Sequence, residues 1–201
     1  MSYTPTSATK PLGGRYQICR TLGSGSFGQT YLAIDLQLPG QPQCVVKQLK
    51  TAVQTDKALK TARRLFATEA TVLAQLGEHP QIPRLLAHFE ENEEFYLVQE
   101  LVEGQELAAE LLNGVTTGQR WSEEEAITFL QDLLSTLAFV HTHQVIHRDI
   151  KPSNLIRRIQ DQQIVLIDFG AVKQVRSPML HTQEDALNPD AAQPRYTQAM
   201  E

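Results

Sequence analysis

The sequence predicts an α+β fold in two parts, with a strand-rich first half and a mainly helical second half. In the first hundred positions, short β-like runs are separated by turn residues, and one amphipathic helix interrupts them. A second, longer helical pattern follows Trp121 and leads into a polar loop and two more short strands. The strands are predicted at residues 16–22, 30–35, 44–47, 85–90, 95–99, 155–156 and 164–167, and the helices at 59–76 and 122–143.

Composition excludes several classes of protein. The formal net charge of the 201 residues is -5, which argues against a nucleic-acid or anionic-membrane surface. Two cysteines, Cys19 and Cys44, lie in predicted strands without a CxxC spacing, so neither a disulfide framework nor a zinc site is indicated. No apolar run approaches the length of a membrane span, and we expect a soluble, cytoplasmic chain. The oligomeric state is left open.

The first structured element is a hairpin with a glycine-rich tip. Residues 1–13 mix Ser, Thr and Pro and are predicted to be disordered. The run Gly23-Ser24-Gly25-Ser26-Phe27-Gly28 follows the first predicted strand. A lone pattern of this kind is weak, because in dinucleotide-binding proteins the same glycines open a helix. Here residues 29–35 alternate like a strand, which favours the hairpin.

A lysine and a glutamate are the next notable pair. Lys47 ends the apolar strand that begins at Cys44, where an unpaired ammonium is costly to bury. Glu69 lies on the apolar stripe of the first predicted helix, beside Phe66 and Leu73, and could neutralise the lysine. The alternative is that Glu69 edges the stripe and reaches water.

The second helix begins with a capping box, in which Ser122 is the N-cap and Glu125 the third helical residue. Its apolar stripe is wide, and we expect this helix to be a core element. The stripe consists of Ile127, Leu130, Leu133, Leu134, Leu137 and Val140.

The polar loop at residues 147–154 carries the chemistry. Asp149 can accept a hydroxyl proton, Lys151 can neutralise a phosphoryl group, and Asn154 offers a neutral oxygen to a hard cation. Asp168, on a strand end before Phe169 and Gly170, adds a carboxylate ligand. Phosphoryl transfer uses all of these groups.

The motifs His147-Arg148-Asp149, Lys151-Pro152-Ser153-Asn154 and Asp168-Phe169-Gly170 together resemble the catalytic core of eukaryotic-like (Hanks-type) bacterial serine/threonine protein kinases. The resemblance implies a protein-kinase-like α+β fold: a five-stranded antiparallel small lobe with one helix, and an incomplete, mainly helical large lobe. It places the small lobe and hinge at residues 14–102, the partial large lobe at 103–175 and an irregular tail at 176–201. The implied activity is transfer of the γ-phosphoryl group of Mg-ATP to Ser or Thr hydroxyls of protein substrates.

Site residues follow from the same resemblance. It implies catalytic roles for Asp149, Lys151, Lys47 and Glu69, and Mg²⁺ ligation by Asn154 and Asp168. Gln99 would stand at the back of the nucleotide pocket, and Thr30 replaces the valine that the family usually has after the glycine loop. The implied ATP-binding residues are Leu22, Gly23, Gly25, Gly28, Thr30, Val45, Lys47, Glu100, Val102, Glu106 and Ile156.

The resemblance stops near residue 175. The Ala-Pro-Glu motif that closes the family's activation segment is absent, as are the later helices of the large lobe. We therefore expect the chain as given to be marginally stable, to bind nucleotide poorly and to transfer phosphate barely or not at all. Two other functions remain open: a catalytically silent nucleotide-binding or regulatory fragment, and a small-molecule kinase of related fold.

Overall fold

The structure is a computed structural model that describes residues 10–25, 28–49 and 56–174. Predictions for residues 1–9 and for the tail after residue 174 lie outside these described residues. The helices are α1 (Asp56–Leu76), α2 (Leu107–Thr117) and α3 (Glu123–Thr142). The strands are β1 (Tyr16–Gly25), β2 (Gly28–Asp35), β3 (Gln43–Leu49), β4 (Leu85–Glu91), β5 (Glu94–Glu100), β6 (Gly104–Glu106), β7 (Val145–Ile146), β8 (Leu155–Arg158), β9 (Ile164–Leu166) and β10 (Lys173–Gln174).

The first half is one five-stranded sheet, with strand order β1-β2-β3-β5-β4 and every neighbouring pair antiparallel. The predicted small lobe of five strands and one helix is confirmed. The larger core lies on the face of the sheet that packs against α1, where Phe66, Leu73, Phe95 and Leu97 are buried together. Because side chains alternate along a strand, the other face carries a second cluster. That cluster contains Tyr16, Ala33, Cys44, Val46, Tyr96 and Val98.

An ion pair connects Arg15, just before β1, with Asp35 at the end of β2. Arg15 donates from Nε to Oδ1 of Asp35 at 2.8 Å and from its terminal nitrogen to Oδ2 at 2.6 Å. Asp35 is fully buried, so this carboxylate depends on the guanidinium for its solvation. The hydrogen bonds from Arg15 hold the pKa of Asp35 below its ordinary value of 3.8, against the opposing effect of burial.

This pair predicts a pH dependence of stability. A carboxyl group whose pKa is lowered by folding stabilises the protein above its unfolded pKa, and the stabilisation is lost as pH falls through the folded value. We therefore expect Asp35→Asn to lower the free energy of unfolding most at pH 5 to 8. The gap to the wild type should shrink below about pH 4, near the unfolded pKa of Asp. Urea unfolding of both proteins at several pH values measures this difference in the free energy of unfolding. A difference that stays constant with pH would contradict the lowered pKa of Asp35.

The second half begins with a helix that the sequence analysis did not predict. Helix α2 contains the run Leu107-Ala108-Ala109-Glu110-Leu111 and is followed by Gly118, whose φ of 73° forms a left-handed C-cap. Strong helix formers followed by glycine were a readable signal. Arg157 of β8 pairs with Glu110 at 2.8 and 3.1 Å and so fastens α2 to the three-stranded sheet of order β6-β8-β9.

Helix α3 has the predicted capping box: Ser122 accepts from the Glu125 amide, and Glu125 accepts from the Ser122 amide. Its apolar stripe is only partly buried. Leu133 is 8% exposed and Val140 is fully buried, as expected for a core helix. The helix is a core element as predicted, but within the described residues three members of its wide stripe are exposed. They are Ile127, Leu130 and Leu134.

Within the described residues, no helix is both long enough and apolar enough to cross a membrane.

Candidate active site

Lys47 lies at the centre of the candidate site. It sits on β3 opposite Leu97 of β5, which directs it toward the α1 side of the sheet. Its Nζ donates to Oε1 of Glu69 at 2.9 Å and to Oδ1 of Asp168 at 2.7 Å. One ammonium therefore joins a strand, a helix and the segment after β9.

Charge pairing outweighs burial at this lysine. Burial by itself lowers the pKa of Lys47, but the neighbouring carboxylates of Glu69 and Asp168 raise it above its ordinary value. At Asp168, burial raises the pKa while Lys47 lowers it, and the net shift is downward. The site thus holds a cation and two carboxylates in a partly desolvated place, where a phosphate can compete for the cation.

Helix α1 positions Glu69, and the absence of a side chain at Gly170 leaves room for its carboxylate. Glu69 follows Phe66 on the buried side of α1, and its side chain is only 13% exposed. A Cβ added at Gly170 would lie 3.3 Å from Oε2 of Glu69, tighter than most contacts of real Cβ atoms. The glycine after Phe169 therefore lets the segment approach the glutamate closely.

Phe169 and His147 connect this ion pair to the polar loop. Phe169 is fully buried and meets the His147 ring edge-on, with ring centroids 4.8 Å apart. Burial lowers the pKa of His147, so the ring is neutral near pH 7. Its Nδ1 accepts from the Asp149 amide at 3.3 Å, and its Nε2 lies 3.3 Å from the Ile167 carbonyl oxygen. The neutral ring of His147 thus contacts both the polar loop at Asp149 and the strand end at Ile167.

The polar loop brings its three chemical groups into contact. Lys151 Nζ donates to Oδ2 of Asp149 at 2.8 Å, and Asn154 Nδ2 donates to the same oxygen at 3.0 Å. The bond from Lys151 lowers the pKa of Asp149, so this group is a carboxylate at neutral pH. Because Asn154 uses its nitrogen here, its side-chain oxygen is the atom that it can offer to a cation.

Two residues of the site have a left-handed backbone that is unfavourable for side chains with a Cβ. Arg148 and Asp168 both have φ of 66°. Such strain costs on the order of 1–3 kcal/mol and gathers at functional sites. Arg148 also donates from Nε to the carbonyl oxygen of Ala171 at 2.7 Å, next to the short pairing of β7 with β10. The surrounding contacts therefore hold both strained residues in place.

The expected glycine loop and adenine pocket residues lie around this centre. Gly23 and Gly25 lie on β1 and Gly28 begins β2, where a Cβ would collide with the backbone oxygen of Gln48. Thr30 stands opposite Lys47 in the β2–β3 register. Leu22 is 40% exposed near the hairpin tip.

The remaining predicted nucleotide residues lie on β3, at the end of β5 and between there and β8. Val45 stands opposite Gln99, and Glu100 ends β5. Val102 lies in the extended link to β6, and Glu106 stands opposite Ile156 in the β6–β8 register. The structure therefore forms two contact groups, Lys47 with Glu69 and Asp168, and Asp149 with Lys151 and Asn154.

One polar connection between the halves was missed by sequence reasoning. Gln81, which is 6% exposed, donates to Oδ1 of Asp132 at 2.5 Å and to the Ile164 carbonyl oxygen at 2.9 Å. Asp132 also accepts from the Ile164 amide at 2.6 Å. A glutamine after His79-Pro80 and an aspartate on α3 carry no local signal of pairing, because 51 positions separate them.

Comparison with known proteins identifies the family of this chain. The family model described as protein kinase domain matches residues 16–188. Serine/threonine-protein kinase B of Synechocystis sp. is 49% identical over 81% of this chain and 28% of its own length. Serine/threonine-protein kinase PknA of Nostoc sp. is 44% identical over 86% of this chain and 30% of its own length. Calcium-dependent protein kinase 9 of Oryza sativa is 33% identical, and the match covers 26% of its length. The chain thus spans less than a third of these relatives.

Proposed function

The chain belongs to the protein kinase family, and on that premise we propose that it binds Mg-ATP between its lobes and serves the transfer of the γ-phosphoryl group to Ser or Thr hydroxyls of proteins. The main observation that supports this proposal is the contact of Lys47 with both Glu69 and Asp168, at 2.9 and 2.7 Å. A partly desolvated ammonium held between two carboxylates is suited to phosphate oxygens.

In this proposal Lys47 binds the α- and β-phosphates of ATP, and Glu69 keeps the ammonium in place. Asp149 accepts the proton of the attacking hydroxyl and orients it. Lys151, which already contacts Asp149 at 2.8 Å, turns to the transferred phosphoryl group and offsets its charge. The backbone of Glu100 and Val102 hydrogen-bonds the base, while the glycine hairpin covers the phosphates.

The donor set fits magnesium. Asn154 and Asp168 offer an amide oxygen and a carboxylate, the hard oxygen ligands that Mg²⁺ prefers, and we propose that they hold it. Bound there, the metal would neutralise charge on the phosphates. Asp168 Oδ1 accepts from Lys47 in this structure, so Lys47 must give up or share this oxygen for the metal to use it.

The comparisons support protein substrates. The cyanobacterial relatives are serine/threonine-protein kinases by name, and at 44–49% identity they are closer in sequence than the plant relative at 33%. The presence of Asp149, Lys151 and Asn154 in contact with one another favours transfer over a silent nucleotide-binding fragment.

Incubating the 201-residue chain with γ-labelled ATP, Mg²⁺ and a generic protein substrate tests this function. Transfer by these 201 residues is expected to be slow, so we expect a weak labelled-protein signal from the wild type after long incubation and about 10²- to 10⁴-fold less from Asp149→Asn, since the amide cannot accept the proton. Both proteins should bind Mg-ADP equally, because Asp149 is assigned to the hydroxyl. Nucleotide binding without any transfer in the wild type would favour the silent fragment instead.

A further inference from the structure

Gln99 is a buried side chain whose amide nitrogen lacks a partner. Only 5% of the residue is exposed, and within the part of the chain that the structure describes Nε2 makes no hydrogen bond. Buried polar groups in folded proteins are nearly always paired, and an unpaired one is destabilising. The unpaired atom is a nitrogen with two N–H bonds, so the missing partner must be an acceptor.

The strand register places Gln99 on the face of the sheet that carries Lys47. Gln99 of β5 lies directly opposite Val45 of β3, and Leu97 lies opposite Lys47. Opposed residues of an antiparallel pair share a face, as do residues two apart on one strand. Gln99 therefore projects on the face from which Lys47 reaches Glu69 and Asp168.

The next residues along the chain are those proposed to bind the base. Glu100 ends β5 and leads through Leu101 to Val102. Gln99 thus directly precedes the proposed base-binding residues in the chain and shares a sheet face with Lys47, the proposed phosphate ligand. The Watson–Crick edge of a purine, turned toward the backbone of Glu100 and Val102, leaves the adjacent edge with its N7 acceptor for a neighbouring donor.

We infer that Gln99 is a specificity-determining residue that donates from Nε2 to N7 of a purine nucleotide. The inference rests on the proposed nucleotide site and adds one contact to it, between the Gln99 amide and the N7 atom of the base. Because adenine and guanine both present N7 as an acceptor, this contact selects purines over pyrimidines without separating the two purines.

Calorimetric titration with Mg-ADP and with Mg-7-deaza-ADP, in which carbon replaces N7, tests the contact. We expect the wild type to bind ADP roughly three- to tenfold more tightly than 7-deaza-ADP, the range for one net hydrogen bond. Gln99→Met keeps a similar volume without the amide, so the two nucleotides should bind it equally. Comparing the two ratios removes any effect of the carbon on base stacking.

The same variant should show the cost of the unpaired amide in the nucleotide-free protein. Replacing it with an apolar side chain relieves the buried N–H, so the melting temperature of Gln99→Met should equal or exceed that of the wild type. A side chain with a merely structural role would lower it.

Gln48→Met is the matched control. Gln48 is 8% exposed on the neighbouring strand β3, but it faces the other side of the sheet and bonds Tyr31 at 2.8 Å and Glu94 at 2.5 Å. Its replacement should lower the melting temperature and leave the ratio of ADP to 7-deaza-ADP affinity unchanged.

The possible outcomes distinguish the N7 contact from the nucleotide site on which it rests. The same ratio of ADP to 7-deaza-ADP affinity in the wild type and in Gln99→Met would overturn the N7 contact, while the nucleotide site would stand. Failure of the wild type to bind either nucleotide would overturn the nucleotide site itself and the contact with it.

Discussion

Replacing Lys47 with Met should weaken Mg-ADP binding by about ten- to a hundredfold. A hydrogen bond to a charged group is worth roughly 1.5–3 kcal/mol, and Lys47 is the cation proposed to meet the phosphates. The loss should lie in the upper part of this range because Glu69 and Asp168, which share this ammonium at 2.9 and 2.7 Å, would be left as two carboxylates repelling the ligand. Calorimetry or a fluorescent nucleotide analogue measures the affinity.

Lys60→Met is the control for this prediction, because Lys60 is an exposed lysine of α1. It should leave affinity unchanged, whereas Asp168→Asn should weaken Mg-ADP binding as Lys47→Met does. Unchanged affinity in both Lys47→Met and Asp168→Asn would overturn the assignment of the nucleotide site.

Replacing Phe169 with Ala should lower the free energy of unfolding by about 3–5 kcal/mol. Phe169 is fully buried in the larger core and packs edge-on against His147, so its loss opens a cavity between the two contact groups of the site. For a chain near the lower end of the usual range of roughly 5–15 kcal/mol, as expected here, such a change leaves a large fraction of the molecules unfolded at 37 °C. Urea unfolding followed by circular dichroism measures the difference.

Two further variants control for volume and position. Phe169→Leu retains most of the apolar volume and should cost clearly less than Ala. Ile159→Ala removes a side chain that is 69% exposed and should change stability by no more than about 0.5 kcal/mol. A loss for Phe169→Ala as small as that for Ile159→Ala would show that the site segment is not packed into the core.

Much of the fold was readable because its signals are local. Period-two alternation and turn residues predicted the five strands of the first sheet, and the capping box at Ser122 predicted the start of α3. Helix α2 was overlooked although its helix formers and Gly118 are equally local. The pairs β7 with β10 and β6 with β8 are too short for any periodicity to identify.

The exposed part of α3 shows where a local pattern is insufficient. The stripe identifies which residues are apolar, but burial depends on what packs against them. Leu133 and Val140 are covered, whereas Leu130 and Leu134 are not covered by the described residues. Buried and exposed residues thus occur in one and the same helical pattern.

By itself, the sequence determined the chemical inventory of this protein: a glycine-rich hairpin, a lysine in an apolar strand, a glutamate on a helix stripe, and the Asp149 and Asp168 motifs. Only the tertiary structure decided how they meet. Lys47 and Asp168 are 121 positions apart, and no local preference relates such residues until β3, α1 and the segment after β9 pack together. The same holds for the unpaired amide of Gln99, because whether a buried donor has a partner depends on every element around it.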